Sequence, residues 1–263
     1  MGGQRRFRLP VLKSKPMCRP HSNAAVRTAL HLKPGANPNA DWDRIMQRQT
    51  CFAVMLALMA SPSAARATDD GAELWLNPSV AFDLDENSGL EIETAQRLRN
   101  ADDGRSDTYF ARLWFNQDIA RNATLSGAFE RRVNDGGSDE TRLIQQLSTS
   151  YGYLRTRLRL EQRFVDGSSR IGLRIRPRLG VSVPIDSDKR WKFKTDAELF
   201  LTLRSTGKGG NDGLTGLRTQ MGVSYAINDN MSLSAVYLRQ QDFDDGRPDR
   251  VGHAPLIGIE FSF

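Results

Sequence analysis

The run Leu154–Phe164, LRTRLRLEQRF, constrains this chain more than any other stretch. Leu154, Thr156, Leu158, Leu160, Gln162 and Phe164 share one parity, and Arg155, Arg157, Arg159, Glu161 and Arg163 share the other. Wound into a helix, the charges would surround the cylinder. Laid out as a strand, where successive side chains alternate, they fall on one face. The run is therefore a strand with an oily side and a charged side. The next segment repeats the pattern, setting Ile171, Leu173, Ile175, Pro177, Leu179, Val181 and Val183 against Arg170, Arg174, Arg176 and Arg178. Pro177 removes a ladder donor and predicts a bulge or an edge at that point.

From Ala72 onward the chain is a succession of such segments, parted by Asp, Asn and Gly clusters. They fall at 72–84, 89–99, 107–118, 123–134, 141–152, 154–164, 168–184, 190–204, 213–227, 231–243 and 253–263, with no helical period between them. That is an odd count, whereas closed single-chain bacterial barrels have an even number of strands. One segment is therefore expected to be misdrawn, either 72–84, which Asn77-Pro78 would break, or the long run 168–184. Short connections at 85–88, 120–122, 152–153 and 228–230 alternate with longer ones at 100–107, 134–140, 205–212 and 244–252. The brief 166–168 and the middling 186–190 blur the alternation. Tight turns at one end and long loops at the other is the outer-membrane arrangement. The last strand would end in the periplasm and the long loops would face outward.

The net charge of +6 averages two unlike regions. Residues 1–67 carry 11 Lys/Arg against Asp41 and Asp43, while residues 68–263 carry 26 Lys/Arg against 29 Asp/Glu. The basic excess belongs to the leader and gives no reason to expect a nucleic-acid partner. Cys18 and Cys51 both precede residue 68, which excludes a disulfide framework or a thiolate metal site in the remainder. Residues 46–50 form a short basic start, 51–60 an apolar run, and Ala65-Arg66-Ala67 a small-x-small site. This is the layout of a cleavable signal peptide over 46–67, with Ala65 and Ala67 marking the cut. Ten apolar helical residues reach about 15 Å, half of a roughly 30 Å hydrocarbon core, too short for a spanning helix. Residues 1–45, rich in Arg, Pro and Asn without a period, are expected to be a disordered extension ahead of a true start at Met46, the alternative being an extended basic leader. Residues 68–263 are expected to form one domain.

At the end of the chain Ile257, Ile259, Phe261 and Phe263 alternate with Gly258, Glu260 and Ser262. A terminal aromatic on such a strand resembles the signal that the bacterial β-barrel assembly machinery reads on its clients. Aromatics also gather near segment ends, at Trp75, Tyr109, Tyr151, Tyr153, Phe164, Trp191, Tyr225, Tyr237 and Phe243, as interfacial girdles require. The expectation is an all-β chain forming a single antiparallel transmembrane β-barrel of about ten to twelve strands in the bacterial outer membrane. Its partners would be outer-membrane lipid and lipopolysaccharide, with the assembly machinery during insertion. A soluble periplasmic β-sandwich that binds a ligand would show the same alternation and stays open.

Trp75 in an opening strand, LRTRLRLEQRF, the following SRIGLRIRPRLG and NMSLSAVYLRQ together resemble the bacterial barrel family catalogued as domain of unknown function 2490. The resemblance covers roughly residues 72–263 and rests on composition. It implies an outer-membrane barrel without an assigned reaction, so it carries over no catalytic residues and no cofactor.

If the oily faces meet lipid, Arg155, Arg157, Arg159, Arg163, Arg174, Arg176 and Arg178 line the interior, together with Glu91, Glu93, Glu130, Glu161, Asp196, Glu198 and Glu260. Unpaired charges in a narrow lumen are expensive, so pairing or water must satisfy them. Two readings follow: a lumen filled by Arg–carboxylate ladders that lock a closed structural barrel, or a narrow water-filled path whose arginine wall favours anions.

Some outer-membrane barrels hydrolyse lipids with a Ser–His pair. His253 is the sole histidine after residue 67, and Ser232 and Ser234 fall at the far end of the neighbouring segment, out of reach of a general base. No Gly-x-Ser-x-Gly elbow occurs, and the chain is not expected to be an enzyme. Asp102-Asp103-Gly104, Asp139-Glu140 and Asp244-Asp245-Gly246 read as turn formers rather than cation sites, and 207–210 lacks the strand-to-helix setting of a phosphate loop. No metal site is expected.

Overall fold

The computed structural model describes residues 69–99 and 106–263. The expected extension, the signal segment with Ala65 and Ala67, and Asp102-Asp103-Gly104 lie outside the described residues. Eleven strands form: β1 (Asp69–Asp83), β2 (Ser88–Arg99), β3 (Thr108–Ala120), β4 (Ala123–Asn134), β5 (Glu140–Tyr151), β6 (Leu154–Val165), β7 (Gly172–Pro184), β8 (Trp191–Arg204), β9 (Gly213–Asn228), β10 (Met231–Asp242) and β11 (Arg250–Ser262). Each pairs with its sequence neighbour, and β1 pairs with β11 to close the barrel.

The expectation of an even count is overturned here. Every sequence segment is a strand. An up-and-down chain reverses at each turn, so its first and eleventh strands run the same way and the closing ladder must be parallel. It runs in one register from Asp69↔Arg250 to Ala81↔Ser262, while the other ten ladders are antiparallel.

Neither suspected segment dissolves. At Asn77 and Pro78 the ladder to β2 lapses and resumes in register at Ser79↔Glu93, while Pro78 still pairs with Ile259 on β11. At Arg176 and Pro177 the ladder to β8 lapses likewise and resumes unshifted at Arg178↔Glu198. The register shift in that ladder lies earlier, between Leu173 and Arg174, and not at the proline. Because β7 begins only at Gly172, the connection after β6 lengthens to 166–171 and joins the long-loop end. The tight-turn end includes the two-residue turn Gly152-Tyr153. There Gly152 takes φ 57°, a left-handed value that costs glycine little.

Alternation decides what faces where. On β3, Phe110, Arg112 and Trp114 are buried inside while Tyr109, Leu113 and Phe115 face out. The outer face is oily all round: Leu113, Phe129 and Leu158 are 50%, 52% and 52% exposed, with Ile92, Leu179, Leu203 and Leu233 in the same belt. At the tight-turn end Trp191 lies against Tyr225 at 4.6 Å and Phe82 stacks on Phe263 at 6.0 Å. Trp75 corrects the girdle expectation. It shares parity with Glu73, Asn77 and Ser79, so it points inward and packs against Leu238, Ala254 and Leu256, where β1, β10 and β11 meet.

Candidate functional site

The interior is built mainly from charge. Glu130 on β4, Glu161 on β6 and Glu198 on β8 are 0%, 0% and 1% exposed. Each sits among arginines from its own strand or from strands one or two away, because a cross-strand neighbour on the same face stands only about 5 Å away and an arginine side chain reaches one strand further. Glu130 accepts from Arg112 and from Arg132 (3.0 Å), with Arg142 at 3.6 Å. Glu161 accepts from Arg174 (2.6 Å) and Arg176 (2.6 Å), with Arg142 at 3.8 Å and Arg159 at 3.9 Å. Glu198 accepts from Arg157 and from Arg176 (2.7 Å), and Arg218 stands 3.7 Å away. Arg142 and Arg176 each bridge two of these carboxylates, so one lattice runs unbroken from β3 to β9.

The remaining expected interior residues sit around this lattice. Arg163 pairs with Glu140 at 2.5 Å, and Arg178 pairs with Asp196. Glu93 accepts from Arg112 (2.5 Å), Trp114 (3.0 Å) and Asn77 (3.2 Å). Arg155 lies at the tight-turn rim and donates to the carbonyls of Gly152 and Leu154. Glu260 is exposed near the same end, 3.5 Å from the Ser232 hydroxyl, and Glu91 lines the central cavity. Ile257, Ile259, Phe261 and Phe263 occupy the outward parity of β11.

Sequence reasoning missed Arg97, Arg112, Arg132, Arg142, Arg218 and Glu140, which are as deep in the lumen as the residues it named. It also missed the inward aromatics. Phe110 carries Arg97, Arg112 and Arg132 over its ring, Phe200 carries Arg174, Arg176 and Arg218, and Trp75 carries Arg97 at 3.9 Å and Arg218 at 5.0 Å. The electron-rich ring faces take up part of a cationic excess that the carboxylates do not match.

The lattice leaves a central cavity of about 290 Å³, whose lining includes Trp75, Arg97, Phe110, Arg159 and Arg218. Below it, at the tight-turn end, a basin of about 570 Å³ shares Arg157 and Arg178 with the central cavity. The residues weighed for other chemistry lie elsewhere. His253 stands on the outer face, where its Nδ1 shares a 2.6 Å hydrogen bond with the Tyr237 hydroxyl, and Ser232 pairs with Glu260 near the opposite end. Asp139 pairs with Arg131 at 3.0 Å, and the Asp244 carboxylate accepts the Gly246 amide of its own turn at 3.1 Å. Among the described residues no group of three or more acidic, His or Cys side chains could hold a metal ion.

A model of the family described as protein of unknown function (DUF2490) matches residues 72–251, which takes in nearly all of the eleven-stranded ring. The chain belongs to this DUF2490 family. Among curated proteins none matches it. Membership thus agrees with the resemblance carried by Trp75 and the arginine-rich strands, and the DUF2490 fold in this chain is a closed barrel.

Proposed function

We propose that this DUF2490 protein is an outer-membrane β-barrel, exported behind a cleavable leader, whose lumen is shut at mid-height so that it serves the membrane structurally rather than as an open pore. One observation carries the reading: the same wall that is oily outside is ionic inside. A soluble barrel or sandwich would hide its apolar face and wet its charged one. Here Leu113, Phe129 and Leu158 face out while Glu130, Glu161 and Glu198 are buried. Hydrocarbon is the solvent that makes this inversion favourable.

The packing supports closure. The Arg–carboxylate lattice covers the interior from β3 to β9, and Trp75, Leu238, Ala254 and Leu256 fill the remaining side. We assign no catalytic role, since among the described residues His253 has Tyr237 as its side-chain hydrogen-bond partner and no serine bonded to it. Two measurements test the proposal. The protein should partition with the detergent-extracted outer membrane and show heat-modifiable gel mobility, and purified protein in planar bilayers should give no current steps. Recovery in the soluble periplasm would overturn the location. Reproducible anion-selective steps, reversed in preference by Arg157→Glu with Arg176→Glu, would overturn the closed lumen.

A further inference from the structure

We propose that the central cavity is a binding site for a small soluble oxyanion of the phosphate or carboxylate class, held by Arg97, Arg159 and Arg218 and reached from the tight-turn end. The carboxylates of the lumen leave three guanidinium groups without a close counter-charge. Glu93, Glu130, Glu161, Asp196 and Glu198 are committed to Arg112, Arg132, Arg174, Arg176, Arg178 and Arg157. Arg159 instead donates Nε and Nη2 to the neutral amide oxygen of Gln146, at 2.9 and 2.7 Å, and its closest carboxylate is 3.9 Å away. Arg218 donates to the amide oxygen of Gln240, and its closest carboxylate is at 3.7 Å. Arg97 has no carboxylate in ion-pair range among the described residues, and its buried Nε has no acceptor there. A glutamine neutralises nothing. Arg97 therefore has no counter-charge among the described residues, and Arg159 and Arg218 have only a distant share of Glu161 and Glu198, which closer arginines already hold.

Leaving one buried guanidinium without a counter-charge is strongly unfavourable. A ring face offsets only part of that cost, and Arg97 and Arg218 already share Trp75. An anion would supply the missing charge, and the planar guanidinium fork suits phosphate and carboxylate oxygens. The cavity lining holds eight arginines against Glu91 and Glu93, and Glu93 is already bonded to Arg112. The volume of about 290 Å³ exceeds a bare phosphate, leaving room for a small organic substituent beside the Trp75 and Phe110 rings.

The way in carries the same sign. The tight-turn basin presents Arg121, Arg155, Lys192 and Lys194, with Arg157 and Arg178 at the shared neck, against Asp118 and Asp196. Such a funnel concentrates anions. Since every strand is paired on both sides, a lipid headgroup cannot enter from the bilayer, and the ligand is a solute. This site needs a folded barrel but not the membrane location, so its test stands apart from fractionation and conductance.

Folded protein in detergent should bind inorganic phosphate saturably by equilibrium dialysis, with chloride a far weaker competitor. Arg97→Gln with Arg218→Gln should weaken binding at least tenfold, whereas Arg131→Gln, on an ion pair outside the lumen, should leave it unchanged. If the double variant does not fold, phenylglyoxal labelling of the wild type decides: phosphate should protect the peptide carrying Arg97. Absence of saturable phosphate binding, equal binding by the double variant, or unaltered labelling of Arg97 would each overturn the site. Competition by a short-chain phosphatidylglycerol as strong as that by phosphate would overturn the assignment to a solute.

Discussion

Glu161→Gln removes one charge from the middle of the lattice while keeping the shape of the side chain. The wild-type carboxylate is fully buried and accepts three bonds, from Arg174 Nε at 3.0 Å, Arg174 Nη2 at 2.6 Å and Arg176 Nη1 at 2.6 Å. Bonds to a charged group contribute roughly 1.5–3 kcal/mol each, but glutamine keeps one acceptor oxygen and the arginines can relax toward other partners. Losing one member of a buried ion pair costs about 3–5 kcal/mol, because the remaining cations stay in a poor solvent. The expected loss is therefore about 3–5 kcal/mol, read from urea unfolding in micelles by tryptophan fluorescence and heat-modifiable mobility. Asp166→Asn supplies the comparison: its ion pair with Arg131, at 2.8 Å, is exposed and screened by water, so losing it should be nearly neutral. Adding Arg174→Met to Glu161→Gln should restore part of the loss, since it removes a stranded cation. If Glu161→Gln and Asp166→Asn are equally mild, the lattice is solvated and the closed-lumen argument fails.

Three further outcomes are expected. Leu113→Arg, at the middle of an outward strand face, should cost about 2–4 kcal/mol in bilayers, and almost nothing if that face meets water. Gly222→Ala should destabilise by about 3 kcal/mol or block assembly, because an added Cβ would lie 2.2 Å from the Ala235 carbonyl oxygen and 2.5 Å from the Val236 Cα, both fixed backbone of β10. In the β1–β2 turn, bonds from the Ser88 hydroxyl and the Asn87 and Ser88 amides hold the Asp85 carboxyl below its ordinary range. A depressed folded-state pKa means stability present above the unfolded value and lost as pH falls through the folded one, so amide protection at Ser88 should persist at pH 5 and drop only below the usual aspartate range. Asp85→Asn should abolish that acid step.

Much of the fold was legible because the two faces of each strand differ so sharply. Wherever an oily parity opposes a charged one, as in β6 and β7, the strand, its limits and its inward side could be read directly. Closure could not. Whether β1 and β11 meet at all depends on tilt and stagger around the whole ring, which no single segment records. β3 was ambiguous for another reason: Tyr109 and Phe115 lie on one face, Phe110 and Trp114 on the other, so aromatics gave no parity. Arg112, at the centre of that strand, was missed for this reason. Trp75 was legible in principle, since it shares a face with Glu73, Asn77 and Ser79, but residue type alone suggests a girdle position instead. The pairing of charges was least accessible, because Gln146 and Gln240, rather than carboxylates, turned out to face Arg159 and Arg218.

Trp191 gives the sharpest test of the claim that lipid covers the outer face. It lies outside, 43% exposed, whereas Trp75 and Trp114 are 3% and 4% exposed within the ring. Vesicles of bromine-labelled phospholipid quench only indoles that touch acyl chains. In protein spanning residues 68–263, and so without Trp42, Trp75→Phe with Trp114→Phe should leave a Trp191 emission that is strongly quenched, while Trp191→Phe should leave emission almost intact. Equal quenching of the two, or none of Trp191, would contradict the account.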